Sequence, residues 1–214
     1  MENAIQIIFQ IAILIFSVVI HEVSHGFAAL SLGDPTAQRK GRLTLNPIKH
    51  LDPFGSVLLP GLLALFHLPI IGWAKPVPYN PYNLRSQKWG PAIVGAAGPS
   101  ANIGLALVFG LILRFLPGFS EGIPNTFLLN FLAVASTITL LNLVLAVFNL
   151  VPIPPLDGSK VLFSVLPYQW RSIQFMLEQY GLFLLLSFIF FFSHWIIPIV
   201  LVLFKVITGV FPML

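Results

Sequence analysis

The residues of this chain best suited to catalysis lie close together near its beginning. His21, Glu22 and His25 form an H-E-x-x-H sequence. Because residues four positions apart lie on the same face of a helix, two imidazoles at this spacing can bind one Zn²⁺ ion. Glu22 is adjacent to both, where its carboxylate could take a proton from a water molecule at the metal. Zinc lowers the pKa of such a water to about 7, so the pattern predicts hydrolysis at neutral pH.

The surroundings of this motif strengthen the interpretation. Its three ionisable residues occur within an apolar stretch, and such side chains inside a membrane-spanning helix are costly and usually functional. An alternative is that the helix ends near Ile20 and that these side chains lie in the polar interface of the membrane. We favour the metal site, because three ionisable residues within five positions are hard to explain as structure.

A catalytic zinc site needs a third protein ligand and one open coordination position. The chain has no cysteine, and its other histidines are His50, His67 and His194. Asp157 is the best candidate, because it follows an apolar stretch and a segment with three prolines. Prolines prevent a regular helix there, and an acid on irregular backbone at that depth suggests a polar cavity. The alternative is an interfacial turn with Asp157 and Gly158 at its tip.

The composition places most of the chain in lipid. Of its 214 residues, 57% are hydrophobic and 8% are charged, whereas a soluble domain has about 25% charged residues. The mean hydropathy of +0.93 leads to the same conclusion. The formal net charge is +4, with the charges in short segments between apolar stretches. This distribution fits the positive-inside rule of membrane proteins better than nucleic-acid binding.

A membrane-spanning helix needs about 20 mainly apolar residues. Stretches of this kind lie at residues 4–32, 91–115, 126–151 and 180–210. The last is interrupted by Ser193, His194 and Pro198, and is either one long helix or two short ones. We predict an all-α polytopic membrane protein with about four to six transmembrane helices. Residues 1–214 would form one domain. Its catalytic core would cover about residues 1–160 and its C-terminal membrane helices about residues 180–211.

Two intervening segments contain helix-breaking residues. Residues 54–71 are short for a span and contain Pro60, Gly61 and Pro69, which predicts a re-entrant segment or an incomplete span. Residues 72–90 contain repeated prolines, which favour an extended strand or hairpin. Together with the alternating residues 42–45, they predict a short β-rich hairpin or sheet near the active site. Residues 158–179 have the partly amphipathic pattern of an interfacial segment.

Two further motifs accompany H-E-x-x-H. Residues 149–158 follow the pattern N-x-x-P-x-P-x-L-D-G, and residues 98–102 follow G-P-x-x-N. With these motifs, the chain resembles the site-2 protease family of intramembrane metalloproteases, in particular its short members without appended domains. The sequences GDPTA, GRLTLNP and GWAKPVP also resemble short members. The resemblance covers nearly all of residues 1–160 and is weak beyond them.

The resemblance implies specific roles. It implies that His21, His25 and Asp157 bind one Zn²⁺ ion per chain and that Glu22 is the general base. It also implies that Asn149 helps to bind substrate or to stabilise the oxyanion, although Asn149 could instead only cap its helix. Asn102 either lines the site or packs helices together. The expected partners are a membrane-protein substrate helix and the lipid bilayer, with no nucleic acid; a second copy of the chain or a regulatory partner stays open.

The expected ligands restrict how the helices run. His21 and His25 lie in the second half of the first apolar stretch, and Asp157 follows the third. Those two helices must therefore run in the same direction, with an odd number of crossings between them, which supports a re-entrant segment at residues 54–71. The basic residues then fall mainly on the metal side. The positive-inside rule predicts a multi-pass protein of the cell membrane, with its active site toward the cytoplasm.

We therefore predict an intramembrane zinc metalloprotease that hydrolyses peptide bonds within or near transmembrane segments. One alternative is a catalytically inactive membrane scaffold of the same fold, although every expected catalytic position is filled. Another is a metal transporter, which would need polar residues along a pathway and often has repeated halves. A soluble-type zinc peptidase anchored to the membrane is disfavoured, because the helix that carries the motif is itself apolar.

Overall fold

The computed structural model describes residues 2–58, 65, 74–119 and 125–212. Across these ranges the chain is mainly helical and contains no β-strand. Four helical stretches are long and apolar enough to cross a membrane: Gln6–Ser31, Gly90–Gly118, Thr126–Asn149 and Gly181–Thr208. The prediction of an all-helical protein is confirmed for the described residues, which contain four candidate membrane-spanning helices.

The first helix, α1 (Glu2–Ser31), is continuous over 30 residues. Residues 2–25 contain neither proline nor glycine, so nothing interrupts the hydrogen bonds of the helix there. Ser17, His21 and His25 are buried, whereas apolar side chains such as Phe16 are exposed. The three polar residues are spaced by four and share one face. The helix therefore turns its polar stripe toward the protein and its apolar surface outward.

The end of α1 and the start of the next long helix lie at the same end of the bundle. Gly33 adopts a φ of 105°, which favours glycine, and the chain turns there into α2 (Thr36–Arg39). Much further along the chain, the Arg85 N–H donates to the Leu32 carbonyl at 2.9 Å. Leu32 and Arg85 are therefore neighbours at this end of the bundle.

Helices α3 (Gly90–Phe115) and α4 (Asn125–Asn149) form the centre of the bundle, and α1 packs against both. Pro99 lies inside α3, where its missing N–H removes one helical hydrogen bond. Small residues on α3 let its neighbours approach closely. A Cβ added to Gly95, for example, would lie 2.9 Å from Lys160 Cβ.

Residues 150–156 are not regular helix, as their three prolines predict. The chain resumes as α5 (Asp157–Val165), which packs on α3. A Cβ on Gly158 would collide with the Leu150 carbonyl oxygen, so only glycine fits where α5 begins beside the end of α4. The predicted interfacial segment forms α5 and a second short helix, α6 (Arg171–Gln179), which has no buried residue.

The last apolar stretch forms a single candidate span. Helices α7 (Gly181–Phe192) and α8 (Ile196–Thr208) are joined by a 3-10 turn, Ser193–Trp195. Each is too short to cross a membrane alone, since about 20 residues are required. Pro198 lies in the first turn of α8, where proline is tolerated. A cluster of buried apolar residues joins this span to α3 and α4: Ala106, Leu143, Ile196, Val200 and Phe204.

The predicted β-rich hairpin is not found among the described residues. Residues 74–80, which we call the strap, have no regular secondary structure, and residues 42–45 are not a strand either. Pro76 and Pro78 have no N–H to donate to a ladder. The N–H groups of Lys75, Val77 and Asn80 donate instead to separate acceptors. The prediction was wrong here because these donors serve other contacts.

The predicted re-entrant segment, residues 54–71, lies largely outside the described residues. Within it, the structure describes only the end of a short π-helical segment, Pro53–Leu58, and Leu65. The re-entrant segment therefore stays a prediction.

Candidate metal centre

Three predicted site residues meet at one point. The Nε2 atoms of His21 and His25 are 3.0 Å apart, and they lie 3.0 and 3.1 Å from Asp157 Oδ2. All three residues are buried. In a tetrahedral zinc site with bonds of about 2.0 Å, ligand atoms lie about 3.3 Å apart. The cluster has nearly this size, and among the described residues it is the one group of three that could hold a metal ion.

The hydrogen bond at the back of His25 determines which ring nitrogen faces the cluster as an acceptor. Its Nδ1 lies 2.6 Å from the backbone carbonyl oxygen of Val94 on α3. Because a carbonyl oxygen can only accept, Nδ1 must carry a proton. In the neutral ring, Nε2 therefore presents a lone pair to the cluster.

His21 is oriented in the same way by a side chain. Its Nδ1 lies 2.6 Å from Asn102 Oδ1, and the amide nitrogen of Asn102 donates to Asn142 Oδ1 at 2.7 Å. His21 Nδ1 is thus a donor and Nε2 is an acceptor. Two imidazole lone pairs and a carboxylate oxygen then point at one another, an arrangement that a cation stabilises. Metal-bound histidines usually donate their other N–H to such an acceptor.

Gly98 leaves space beside the ligand atoms. A Cβ at this position would overlap His25 Nε2 and lie 2.6 Å from His21 Nε2. Any larger residue would displace the rings that form the cluster. The first glycine of the G-P-x-x-N motif therefore fits a metal site, and the donor set of two histidines and one carboxylate is one that catalytic zinc uses.

Lys160 binds the second oxygen of Asp157. Its Nζ donates to Oδ1 at 2.9 Å, one turn along α5, and Oδ2 is left to face the histidines. Burial favours the neutral amine, but the Asp157 carboxylate more than offsets this and raises the pKa of Lys160. Lys160 thus stays charged and favours a single metal-facing oxygen on Asp157.

Glu22 lies next to the cluster and is held by the strap. Its Oε2 accepts the Val77 N–H at 2.7 Å. Glu22 also lines a cavity of about 160 Å³ together with the three metal-binding side chains. The cavity's other walls are Pro76, Val77, Tyr79, Asn149, Pro155 and Lys160. The Glu22 carboxylate, the three candidate metal ligands and the irregular backbone of residues 76–79 therefore share one small cavity.

A comparison with known sequences decides the family. Residues 9–192 match the model of peptidase family M50, the site-2 protease family. The chain belongs to this family. It is 40% identical to "Putative zinc metalloprotease YwhC" of Bacillus subtilis over 176 residues, which cover 78% of this chain and 74% of that protein.

Mycobacterial relatives are more distant and longer. The chain is 35% identical to "Putative zinc metalloprotease Rip2" of Mycolicibacterium smegmatis over 147 residues, 67% of this chain and 52% of that protein. The protein of the same name from Mycobacterium tuberculosis is 31% identical over 147 residues, with 68% and 52% covered. No solved structure matches the chain.

Asn149 lies beside the cluster of candidate ligands. It is the last residue of α4 and lines the cavity beside Asp157. Its amide nitrogen donates to the Leu145 carbonyl oxygen at 2.9 Å, one turn earlier in the same helix. This bond orients the carboxamide, while the role of Asn149 toward substrate stays a prediction.

The other described histidines lie outside the cluster. His50 Nε2 is 2.8 Å from the Thr44 carbonyl oxygen, and the His194 ring lies against Trp195. His67 is outside the described residues. Among the described residues, Asp157 is thus the third member of the group that could hold a metal ion, and its role as a ligand stays a prediction.

Two residues near the site were missed by sequence reasoning. Asn142 is fully buried and touches Asn102, and Lys160 holds Asp157. A signal existed for Asn142, because it lies seven residues before Asn149 and therefore on nearly the same face of α4. Lys160 follows Asp157 by three residues, a spacing at which side chains on a helix meet.

Proposed function

We propose that this M50 peptidase is an intramembrane zinc metalloprotease that hydrolyses peptide bonds within or near the transmembrane segments of membrane proteins. One observation carries the proposal: His21, His25 and Asp157 direct three electron-pair donors to one buried point beside Glu22, within helices long enough to span a membrane. One Zn²⁺ ion per chain would be held there. Bound zinc would polarise the scissile carbonyl and lower the pKa of a nucleophilic water.

In this mechanism Glu22 is the general base. Its carboxylate lies in the same cavity as the metal-binding atoms, where it takes the proton of the attacking water and passes it to the departing amine. The Val77 N–H fixes one of its oxygens, and the other is left for the proton. Asn149, which lines the same cavity, would donate to the oxyanion.

The strap offers extended backbone to the substrate. Pro76, Val77 and Tyr79 all line the cavity, so a substrate segment lying in it would run alongside the strap. A substrate helix that enters from the bilayer would first unwind, because a regular helix hides its carbonyls from attack. Because the N–H groups of Lys75, Val77 and Asn80 are already bonded elsewhere, the substrate backbone would meet the strap mainly through the strap's carbonyl oxygens.

We also propose that the chain crosses the cell membrane several times with the metal centre toward the cytoplasm. Basic residues are concentrated in the segments at the end of the bundle where α1 ends. Because the chain has no cysteine, single introduced cysteines can be labelled without background from native thiols. Single cysteines replacing Tyr82, which is exposed, and Gly118, where an added Cβ meets no atom within 4 Å, should label from opposite sides of the membrane. External labelling at position 82 would reverse the orientation.

The proposed activity is tested with purified protein and a single-span substrate in liposomes. Glu22→Gln removes the base but keeps the metal ligands, so zinc content should stay at one per chain while cleavage falls about 10²–10⁴-fold. A zinc chelator should abolish cleavage by the wild-type protein. A folded wild-type preparation without bound zinc would refute the metalloprotease and favour an inactive scaffold.

Metal transport is the second candidate that the same experiment can address. The metal-binding atoms lie together within 4.8 Å rather than along a path, which favours catalysis over transport. Zinc flux into liposomes that depends on His25, without any cleavage, would overturn the proposed activity.

A further inference from the structure

Three buried polar side chains are hydrogen-bonded in sequence, from α4 through α3 to His21, the candidate metal ligand on α1. Asn142 on α4 and Asn102 on α3 are completely buried, and His21 on α1 nearly so. Burying an amide at this depth costs free energy unless its hydrogen bonds are satisfied. Each of the three is bonded to the next, so the direction of every bond can be read.

The direction is set at Asn142. Its amide nitrogen donates to the Ile138 carbonyl oxygen at 2.8 Å and to Ser17 Oγ at 2.9 Å. A carbonyl oxygen can only accept, so the amide nitrogen of Asn142 must point toward Ile138 and its Oδ1 toward Asn102. That oxygen accepts the Asn102 amide nitrogen at 2.7 Å. Asn102 therefore has to present its own oxygen, and not its nitrogen, to His21.

The orientation of Asn102 matters because its two ends have nearly the same shape. Turned by 180°, the carboxamide would present N–H groups to His21 Nδ1. The proton of the neutral imidazole would then move to Nε2, where it would point into the cluster and block metal binding. Asn102 alone does not determine which end faces the ring. Two backbone carbonyls do: that of Ser17 accepts the Asn102 amide nitrogen directly at 3.4 Å, and that of Ile138 acts through Asn142, whose contact with Asn102 is shorter at 2.7 Å.

We propose that Asn142 is a positioning residue that fixes the orientation of Asn102 and, through it, the metal-binding tautomer of His21. This inference deepens the proposed function by adding a residue that touches neither metal nor substrate. Since it concerns metal binding, it can fail while the proteolytic activity stands. Outer hydrogen-bond partners of metal ligands typically change metal affinity by about 10–100-fold when they are removed.

A matched control lies on the same helix. Thr139 is also completely buried, and its hydroxyl donates to the Ala135 carbonyl oxygen within α4 at 2.8 Å. Replacing it with valine removes a buried polar group without touching the hydrogen bonds that lead to His21. Both variants remove a buried polar group from the centre of α4, but only Asn142→Leu removes the hydrogen-bond acceptor of Asn102.

The test measures zinc affinity against a competing chelator and the histidine tautomers of the metal-free protein by ¹⁵N NMR with labelled histidine. We expect Asn142→Leu to weaken zinc binding about 10–100-fold and to shift His21 toward the Nε2–H tautomer. Thr139→Val should stay within about twofold of wild type. The added change Asn102→Asp should restore affinity in Asn142→Leu, because a carboxylate presents only acceptors to the ring whichever way it turns.

Three results would overturn the inference. They are unchanged zinc affinity in Asn142→Leu, an equal loss in Thr139→Val, and failure of Asn102→Asp to rescue. If Asn142→Leu does not fold, the wild-type spectrum still decides, because His21 Nδ1 must carry a proton that is hydrogen-bonded to Asn102 Oδ1. An unprotonated Nδ1 in the metal-free wild-type protein would refute the proposal without any variant. Cleavage assays on the same proteins show separately whether the proteolytic function holds.

Discussion

The metal cluster has helices on one side and a loop on the other. On the helical side, the backs of His21 and His25 are held by Asn102 and by the Val94 carbonyl, all on packed membrane helices. On the other side, Glu22 contacts the strap, residues 74–80. The two histidines expected to hold the metal are therefore fixed by hydrogen bonds to a packed helix, α3. The groups expected to meet the substrate depend on a loop held by a few hydrogen bonds.

The strap is tied at both ends by hydrogen bonds, and Val77 in its middle is buried. At one end the Lys75 N–H donates to the His50 carbonyl oxygen, and Arg42 donates to the Lys75 carbonyl oxygen at 2.7 Å. At the other end the Asn80 N–H donates to Asp34. Variants on the helical side should therefore change metal binding, and variants of the strap's attachments should change cleavage with the metal retained.

The largest effect is expected on the helical side, at Gly98. Gly98→Ala places a Cβ against His21 and His25, so zinc affinity should fall about a hundredfold or more and cleavage should be lost with it. Gly104→Ala is the matched control, because an added Cβ there meets no atom within 4 Å. Zinc content after dialysis against a weak chelator measures both. Normal zinc content in Gly98→Ala would show that the cluster is wider than the structure indicates.

An intermediate effect is expected at Lys160, which borders both regions. It holds Asp157 Oδ1 and also lines a larger cavity of about 820 Å³. Lys160→Met keeps the length of the side chain but frees that oxygen, so zinc affinity should fall about tenfold. Lys88→Met, in the same larger cavity, should leave affinity unchanged. Equal zinc affinity in the two variants would remove Lys160 from the metal centre.

The smallest effect on the metal is expected at Asp34, which anchors the strap. Its carboxylate is buried and accepts hydrogen bonds from the Asn80 N–H, Asn83 Nδ2, and the Thr36 N–H and hydroxyl. Asp34→Asn should lower the free energy of unfolding by about 1–3 kcal/mol. It should also speed hydrogen exchange in the strap and reduce cleavage, with zinc content unchanged. Thr36→Val, which removes only the hydroxyl, should show a smaller loss of stability. Loss of zinc in Asp34→Asn would show that zinc binding also depends on the attachment of the strap, contrary to this prediction.

Asp34 also gives this anchor a pH dependence. Burial raises the pKa of its carboxyl, but the hydrogen bonds from Thr36, Asn83 and Asn80 lower it by more, so the folded pKa lies below the ordinary 3.8. A carboxyl of this kind contributes its full stability above its unfolded pKa and loses it as the pH falls through the folded value. Thermal unfolding between pH 7 and pH 3 should show less acid destabilisation in Asp34→Asn than in the wild type.

The sequence predicted the cluster because its evidence is local. The spacing of His21 and His25 places them on one helix face, and the prolines before Asp157 predict irregular backbone. Both patterns depend only on residues that are near in sequence, so they can be read without knowing how the helices pack. Asn149 was suggested by the resemblance to site-2 proteases alone, and the structure shows that it lines the cavity.

What the sequence could not predict depends on partners far along the chain. An asparagine in an apolar helix, such as Asn142, does not reveal which neighbour its amide contacts. The strap was predicted as a hairpin because its extended residues resemble a strand. Only the structure shows that the Val77 N–H goes to Glu22 and that of Asn80 to Asp34. The choice between one and two helices at residues 180–210 likewise needed the structure, which has two helices joined by a 3-10 turn within one candidate span.

The cavity beside the candidate metal ligands bears on what kind of peptide the proposed protease would cut. The cavity is small, about 160 Å³, and a regular helix keeps its carbonyl oxygens in its own hydrogen bonds. Under the proposed function, a scissile bond would therefore reach the site in a locally unwound conformation. Each glycine near that bond lowers the cost of unwinding by about 1 kcal/mol relative to alanine, and each proline by about 3 kcal/mol. Selection among membrane substrates would then depend on intrinsic helix propensity more than on the identity of the flanking side chains.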